Sequence, residues 1–179
     1  MRLAELNALT EGAAATELLR CCGSTRWARL MIAARPFADV EALVAAADAT
    51  WTSLAPADWL EAFAAHPRIG ENTGADGATG ATGATGAADW AAQEQSSVAD
   101  AVAAVRRRLA EANREYEARF GYIFIVCATG RSAEEILGLL DRRLGNDSAA
   151  ELGAAAEEQR TITRLRLMKL LGIAQVPTT

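Results

Sequence analysis

The sequence predicts an all-α protein, a single-domain multi-helix bundle of about eight helices with a buried extended segment near residues 120–128. Alanine, leucine, glutamate and arginine, which form helices readily, dominate the chain. Capping and helix-stopping residues recur at the spacing of ordinary helices. The length of 179 residues fits one domain, 1–179, with one sizeable core.

Four helices are predicted before residue 68. Residues 3–22 form the first, which ends at a Gly-Ser pair, and residues 24–35 form the second, which a proline stops. Asp39 is placed to cap the third helix, which reaches residue 51. A Pro-Ala-Asp sequence opens the fourth helix, which ends at His66.

The segment 71–88 is predicted to be a loop. It contains the triplet Gly-Ala-Thr three times in succession, at residues 77–85, and these residues cannot pack a core while their glycines cost entropy to order. Two interpretations are open: a surface excursion that tolerates changes in length, or a mobile lid beside a pocket.

The second half of the chain begins with a long predicted helix, from residue 89 to about residue 119. The run FGYIFIVCA at 120–128 is continuously apolar and rich in β-forming residues, which is consistent with a buried extended segment or with a helix. Further helices are predicted over 130–144 and 149–171, joined by a Gly-Asn-Asp-Ser turn. The tail, 173–179, is predicted to fray.

Charge and hydropathy exclude several classes of partner. The formal net charge is −5 and the pI is about 5.0, whereas nucleic acids and anionic membranes favour a basic protein face. No run reaches the roughly 18 apolar residues of a membrane span, and the first residues lack the apolar segment of a secretory signal. A cytoplasmic protein is therefore expected.

The cysteines and the single histidine argue against disulfides and metals. Cys21, Cys22 and Cys127 are odd in number, and an adjacent pair rarely forms a disulfide framework. We expect all three to be small buried apolar residues. With one histidine and no Cys-x-x-Cys motif, the chain offers few ligands for a transition metal, and none is predicted to bind.

His66 is the first candidate for chemistry. Pro67 disfavours helical geometry at the residue before it, so the imidazole is held at a sharp helix exit. A helix C-terminus favours the protonated imidazole, which suits a general acid near neutral pH. The alternative is a capping or structural histidine, which is the commoner case for a lone histidine at a helix end.

Glu94 is the second candidate. At 100° per residue it falls within the apolar stripe of the long helix, with Trp90, Val98, Val102, Val105, Leu109 and Tyr116. A carboxylate on a buried face is desolvated unless it is paired, and such groups are enriched in active sites. A structural salt bridge to an arginine is the alternative. Gln95 lies at the edge of the same stripe.

The last helix carries Arg164 and Arg166 among apolar residues, and periodicity does not choose between them. A buried arginine needs an anionic partner, either a protein carboxylate or a substrate carboxylate. Two other charged runs, 106–108 and 141–143, are interpreted as solvated helix faces with no role.

Ordered sequence blocks across nearly the whole chain carry a family resemblance. They are Leu6-Asn7, Trp27, Arg35-Pro36-Phe37, HPRIG at 66–70, Trp90 with Glu94-Gln95, FGYIF at 120–124, Arg143-Leu144, Asn146-Asp147, Glu151-Leu152 and EEQRTITRLRL at 157–167. In these blocks the chain resembles the 2-oxo-4-hydroxy-4-carboxy-5-ureidoimidazoline (OHCU) decarboxylases, which form allantoin in urate degradation. The resemblance implies an all-α fold, a homodimer, a small-molecule substrate and no metal or organic cofactor.

The resemblance also assigns a site. It implies that His66, Glu94 and Arg166 are catalytic, with Arg164 as the alternative if the register differs. The substrate-binding positions that it implies are Pro67, Ala91, Gln95, Tyr122, Ile123, Phe124, Ile125 and Val126.

The chain departs from the family pattern in two ways. Ala91 stands where the family often has serine, which puts one hydrogen bond to the substrate in doubt, and the Gly-Ala-Thr insert lengthens the link between the histidine and glutamate blocks. The expected function is cofactor-independent decarboxylation of OHCU to (S)-allantoin. The alternatives are a non-catalytic helical interaction module and a decarboxylase of a related ureido acid.

Overall fold

A computed structural model describes residues 1–68 and 88–173, with the side chains of 1–68 and 103–173. Over these residues the chain forms eight α-helices and no strand, which confirms the predicted all-α class with an extended segment at 122–127. The helices are α1 (Leu3–Ala8), α2 (Glu11–Cys21), α3 (Thr25–Ala33), α4 (Val40–Thr52), α5 (Pro56–Ala64), α6 (Ala88–Phe120), α7 (Ala133–Arg143) and α8 (Ser148–Leu170). None of the described helices is long and apolar enough to cross a membrane. The predicted loop lies outside the described residues except for residue 88, which is helical, and the predicted tail lies outside them beyond residue 173.

The prediction of a single helix over 3–22 was wrong, because the chain forms two helices there. Leu9 adopts an extended backbone conformation, and the Thr10 hydroxyl accepts a hydrogen bond from Ala13 N at 3.4 Å to cap α2. Asn7 bonds through both atoms of its side-chain amide to the backbone of Phe37, at 2.9 and 3.0 Å. A local cap and a long-range tether therefore outweigh the helix propensity of this segment.

Side-chain caps confirm three of the predicted helix starts. The side chains of Ser24, Asp39 and Ser132 accept hydrogen bonds from backbone N–H groups in the first turns of α3, α4 and α7. Each satisfies one of the N–H groups that a helix start leaves without a partner.

The extended segment 122–127 lies between two hydrophobic clusters. Ile123 and Ile125 belong to the larger cluster, built from α1–α5 and α8, while Phe124 and Val126 belong to the smaller one, built from α6 and α7. This alternation is the two-residue period of an extended chain. The segment is therefore held on both faces, and α8 packs against α2, α4 and α5 beside it.

Candidate active site

His66 lies just beyond the end of α5. The helix closes at residue 64, Ala65 forms the C-cap, and His66 N donates to Phe63 O at 3.1 Å. The imidazole is half-buried, and its Nε2 atom is shielded from solvent with no hydrogen-bond partner among the described residues. Pro67 follows and is exposed. The helix exit therefore turns one ring nitrogen inward.

Two residues of α8, Gln159 and Arg166, act on His66, and Thr163 lies between them along the helix. Gln159, Thr163 and Arg166 occupy one side of this helix, at spacings of four and three residues. Gln159 is fully buried and Thr163 is nearly so. Gln159 Nε2 donates to Thr163 Oγ1 at 3.2 Å, and the Thr163 hydroxyl donates to the backbone carbonyl of Gln159 at 2.9 Å. Gln159 and Thr163 are therefore hydrogen-bonded to each other.

The surroundings of His66 lower its pKa below the usual 6.5. Burial is the largest cause, the Arg166 guanidinium acts in the same direction, and a hydrogen-bonding interaction with the Gln159 side chain opposes both. Burial therefore opposes the protonated imidazole that the helix end was expected to favour. A helix end favours a cation by only about 0.3–1 kcal/mol at an exposed site, whereas desolvation acts here on a largely enclosed ring.

The choice between the two arginines of α8 is made by their partners. Arg164 forms a double ion pair with Asp48 of α4, in which Nε lies 2.8 Å from Oδ1. Arg166 is half-buried, and its Nη1 lies 3.5 Å from the carbonyl oxygen of Cys21. Its charge acts on His66 and on both adjacent thiols. Of these two arginines, Arg166 is the one whose charge acts on His66, whereas Arg164 is paired with Asp48, and the catalytic assignment of Arg166 stays a prediction.

Arg166 reaches two cavities. One, of about 790 Å³, lies between the end of α2 and Ala65, and the other, of about 320 Å³, lies between α8 and Val126. Arg166 therefore stands between the helix exit that carries His66 and the extended segment. Its guanidinium is placed to bind an anion in either cavity.

The extended segment is fixed by polar side chains from three helices. Arg143 Nη1 donates to Ile125 O at 2.8 Å, Phe124 N donates to Asn113 Oδ1 at 3.0 Å, and Cys127 N donates to Glu158 at 2.7 Å. These side chains bond backbone groups of the segment that would otherwise need partners in a sheet. The predicted lining residues Ile123, Phe124, Ile125 and Val126 are buried and Tyr122 is half-buried.

Arg143 corrects the interpretation of 141–143 as a solvated face. It is buried and forms an ion pair with Glu151, which has no exposed surface, with Nε–Oε1 at 2.8 Å and Nη2–Oε1 at 2.5 Å. Tyr116 and Asn146 also donate to this carboxylate. The missed signal was helical spacing, because Ile136, Leu140 and Arg143 share the buried face of α7.

Tyr122 connects the segment to α5. Its ring centroid lies 5.3 Å from that of Phe63 and 5.8 Å from that of Tyr116. Its hydroxyl is shielded from solvent and has no hydrogen-bond partner within the described residues. Burial raises its pKa, so this group stays a neutral donor. Tyr122 thus faces the same interior region as the helix that delivers His66.

The remaining predicted residues lie in the first part of α6. Ala91, Glu94 and Gln95 are helical, as predicted, but their side chains lie outside the described residues. Their assignment to the site stays a prediction. Gln159 and Thr163 were not assigned a role from the sequence. Both are polar residues on the buried face of α8, and that position was the signal that could have found them.

Comparison with known proteins identifies the family. The family profile described as OHCU decarboxylase matches residues 7–168. The chain is a member of the OHCU decarboxylase family. The uric acid degradation bifunctional protein TTL of Arabidopsis thaliana is 39% identical over 151 residues, which are 84% of this chain and 45% of that protein. An OHCU decarboxylase of Amia calva is 42% identical over 72 residues, 40% of this chain and 39% of the relative. The chain thus spans less than half the length of these two curated relatives.

Two solved structures share the fold. A crystal structure of OHCU decarboxylase in the presence of (S)-allantoin superposes with a TM-score of 0.69 at 34% identity, covering 87% of this chain and 97% of that one. A crystal structure of (S)-allantoin synthase gives a TM-score of 0.66 at 18% identity, covering 96% of this chain and 54% of that one. The second likeness concerns the fold alone.

Proposed function

We propose that this chain is a carboxy-lyase that converts OHCU to (S)-allantoin in urate degradation, without a metal or organic cofactor. The observation that carries the proposal is the match of residues 7–168 to the OHCU decarboxylase family, within which the charge of Arg166 acts on the half-buried His66. An OHCU decarboxylase solved in the presence of (S)-allantoin shares the fold at 34% identity, which supports the assignment of substrate and product.

The chemistry makes modest demands on the protein. The carbon that bears the carboxylate is flanked by electron-withdrawing ring atoms, so the electron pair of the breaking carbon–carbon bond passes into the ring imine and carbonyl as carbon dioxide leaves. The ring then takes up one proton, and delivery to one face yields the S product. Because the ring accepts the electron pair, the reaction requires no separate electron sink. The protein has to orient the carboxylate, hold the developing anion, exclude water and supply the proton.

The described residues fit these tasks. Arg166 binds anionic oxygen by charge-assisted hydrogen bonds. Among the described residues the N–H groups of Phe124 and Cys127 are already bonded, whereas that of Val126 makes no hydrogen bond and lies at the cavity that Arg166 reaches. Backbone amides of this part of the segment therefore bind ring oxygens.

His66 supplies the proton in this proposal. The pKa of its imidazolium is lowered by burial, and an acid with a lower pKa gives up its proton more readily once it is charged. Glu94, whose place the family resemblance implies, binds the hydroxyl or ureido donors of the substrate and keeps His66 charged in the complex. Gln95, Ala91 and Pro67 complete the substrate contacts.

The test generates the unstable substrate from urate in a cuvette and follows (S)-allantoin by circular dichroism. The wild-type chain is expected to accelerate formation of the S enantiomer. His66→Ala is expected to lose about 10²- to 10⁴-fold in rate, the range for removal of a general acid, with unchanged helical content. Racemic product at the uncatalysed rate with wild type would contradict the proposal and favour a non-catalytic interaction module.

A matched pair of variants tests the arginine. Arg166→Gln removes the cation that lies beside His66, so activity is expected to fall by at least about tenfold. Arg164→Gln changes the same helix and the same residue type but breaks only the pair with Asp48, so activity is retained. Equal losses in both variants would contradict the role given to Arg166.

The assembly and compartment are proposed on the family resemblance. A homodimer has twice the 18.9 kDa of the chain, and sedimentation equilibrium distinguishes it from the monomer. The cytoplasm is the proposed compartment, since the three free cysteines fit a reducing compartment.

A further inference from the structure

Two buried polar atoms at the contact of α5 with α8 lack hydrogen bonds. His66 Nε2, just after α5, and Gln159 Oε1, on α8, are both shielded from solvent, and neither has a partner that meets hydrogen-bond geometry within the described residues. A buried polar group without a hydrogen bond destabilises the folded protein. Because α5 and α8 pack together, each of these atoms is a candidate partner for the other.

Thr163 fixes the orientation of the Gln159 amide. The Thr163 hydroxyl donates its only proton to the backbone carbonyl of Gln159, at 2.9 Å, so its oxygen is left to accept. The group that faces Thr163 must then be the amide NH₂ of Gln159, whose Nε2 lies 3.2 Å away. The carbonyl end of the amide, Oε1, is consequently turned away from Thr163. An inverted amide would set two acceptors against each other.

The direction in which Gln159 shifts the pKa of His66 agrees with this orientation of its amide. The Gln159 side chain raises the pKa of His66 through a hydrogen-bonding interaction, against the lowering by burial and by Arg166. An acceptor stabilises the protonated imidazole and raises its pKa, whereas an NH₂ donor would lower it. Arg166 of α8 is the charged group beside the ring in the described residues. Cys22, the C-cap of α2, lies next to Thr163. On α5, the Glu61 carboxylate accepts hydrogen bonds from the backbone N–H and the hydroxyl of Thr25.

We propose that Gln159 is the positioning residue of His66: its Oε1 holds the Nε2 proton and leaves Nδ1 as the nitrogen that exchanges a proton with the substrate. The second part rests on the proposed function. In turnover the electron pair left by carbon dioxide passes toward the imine, and the proton moves from Nδ1 to the neighbouring ring carbon that bears the ureido group. The hydroxyl on the decarboxylated carbon becomes the carbonyl as its proton is taken up by the former imine nitrogen, and the Nε2–H bond of His66 stays intact. The neutral ring that remains is the Nε2–H tautomer, ready to take up a proton at Nδ1 from solvent.

The single histidine of the sequence makes this inference directly measurable. Imidazole ¹⁵N chemical shifts report both the tautomer and the pKa of His66 in the unliganded protein. Wild type is expected to show the Nε2–H tautomer when neutral. Gln159→Leu, similar in volume and without the acceptor, is expected to give a mixture of tautomers and a lower pKa. Gln159→Glu is expected to raise the pKa, and Thr163→Val, which frees the amide to invert, is expected to fall between wild type and Gln159→Leu.

The control is Leu167→Ala, a fully buried change on the same helix. It is expected to lower stability while leaving the tautomer and pKa of His66 as in wild type, so a general loosening of α8 is separated from the loss of one acceptor. An Nδ1–H tautomer in wild type would overturn the inference. So would unchanged imidazole shifts in Gln159→Leu.

The activity measurement separates this inference from the proposed function. Gln159→Leu is expected to lower kcat by at least about tenfold, less than His66→Ala does, with little change in KM. Gln159→Glu is expected to move the pH profile of kcat in the alkaline direction. Loss of activity in Gln159→Leu with a wild-type tautomer would overturn the positioning role and leave the proposed function standing. Absence of turnover in wild type would overturn the proposed function, while the tautomer would still decide the role of Gln159.

Discussion

Replacement of Arg143 by methionine is expected to destabilise the protein far more than the same replacement of Arg164. Both arginines form double hydrogen bonds to one carboxylate, so the chemistry of the two pairs is matched. They differ in burial. The side chains of Arg143 and Glu151 are 11% and 0% exposed, whereas those of Arg164 and Asp48 are 42% and 20% exposed.

The magnitude follows from what each substitution leaves behind. Arg143→Met removes two bonds to Glu151 and one to the carbonyl of Ile125, and it leaves an uncompensated charge inside the protein. Breaking a buried pair in this way costs about 3–5 kcal/mol. Tyr116 and Asn146 still donate to the carboxylate, which places the expected loss near the lower limit, at about 3 kcal/mol. The exposed pair at Arg164 contributes about 0–1 kcal/mol.

Urea unfolding at pH 7, followed by far-ultraviolet circular dichroism, measures both losses. The midpoint is expected to fall in Arg143→Met with little change in the denaturant slope. The double variant Arg143→Met/Glu151→Leu is expected to recover part of the loss, because it also removes the stranded carboxylate. Losses of less than 1 kcal/mol in both single variants would refute the argument that burial, and not the number of bonds, sets the cost.

Two further predictions concern titration. Burial raises the pKa of Cys21 to about 12 and that of Cys22 to about 11, so both thiols are expected to react with dithionitrobenzoate at pH 8 far more slowly in the folded protein than in urea; equal rates would contradict their burial. The pKa of His66 is lower in the folded protein than its value of 6.5 in the unfolded chain. Between these two pKa values the unfolded chain binds the extra proton. The contribution of the neutral His66 to folding stability is therefore present above pH 6.5 and is lost as the pH falls from 6.5 toward the folded pKa. The difference in unfolding free energy between wild type and His66→Asn, measured from pH 8 to pH 5, is expected to shrink in that direction, and a difference independent of pH would show that burial does not shift the histidine.

Local signals predicted most of the fold because each acts over a few residues. Asp39 caps α4 as expected, Ser24 and Ser132 cap the helices predicted to begin near them, and a proline begins α5. The prediction failed at residues 8–10, where a break in the helix is set by the tether from Asn7 to Phe37, 30 residues away. Helix propensity carries no information about such a contact.

The site was predictable in part, for two different reasons. The residues themselves made His66 a candidate, but only the family resemblance selected Arg166, since periodicity left Arg164 and Arg166 equal. Arg143 was dismissed because its neighbours, Asp141 and Arg142, are charged and exposed. A charged residue in a charged run gives no sign of burial until the helical spacing of its apolar neighbours is counted, and its partner Glu151 lies on another helix.

Helix α8 shows why the remaining site residues escaped prediction. It packs against α2, α4 and α5, so apolar residues occur nearly all round it and no single face stands out. Three of its polar residues act on groups elsewhere in the chain. Glu151 pairs with Arg143, Glu158 accepts a hydrogen bond from the backbone of Cys127, and Gln159 acts on the pKa of His66. The first two hold the extended segment and the third faces the catalytic candidate, so one helix sets both walls of the site. These contacts belong to the packing of the helix against its neighbours, and no local pattern in its sequence encodes them.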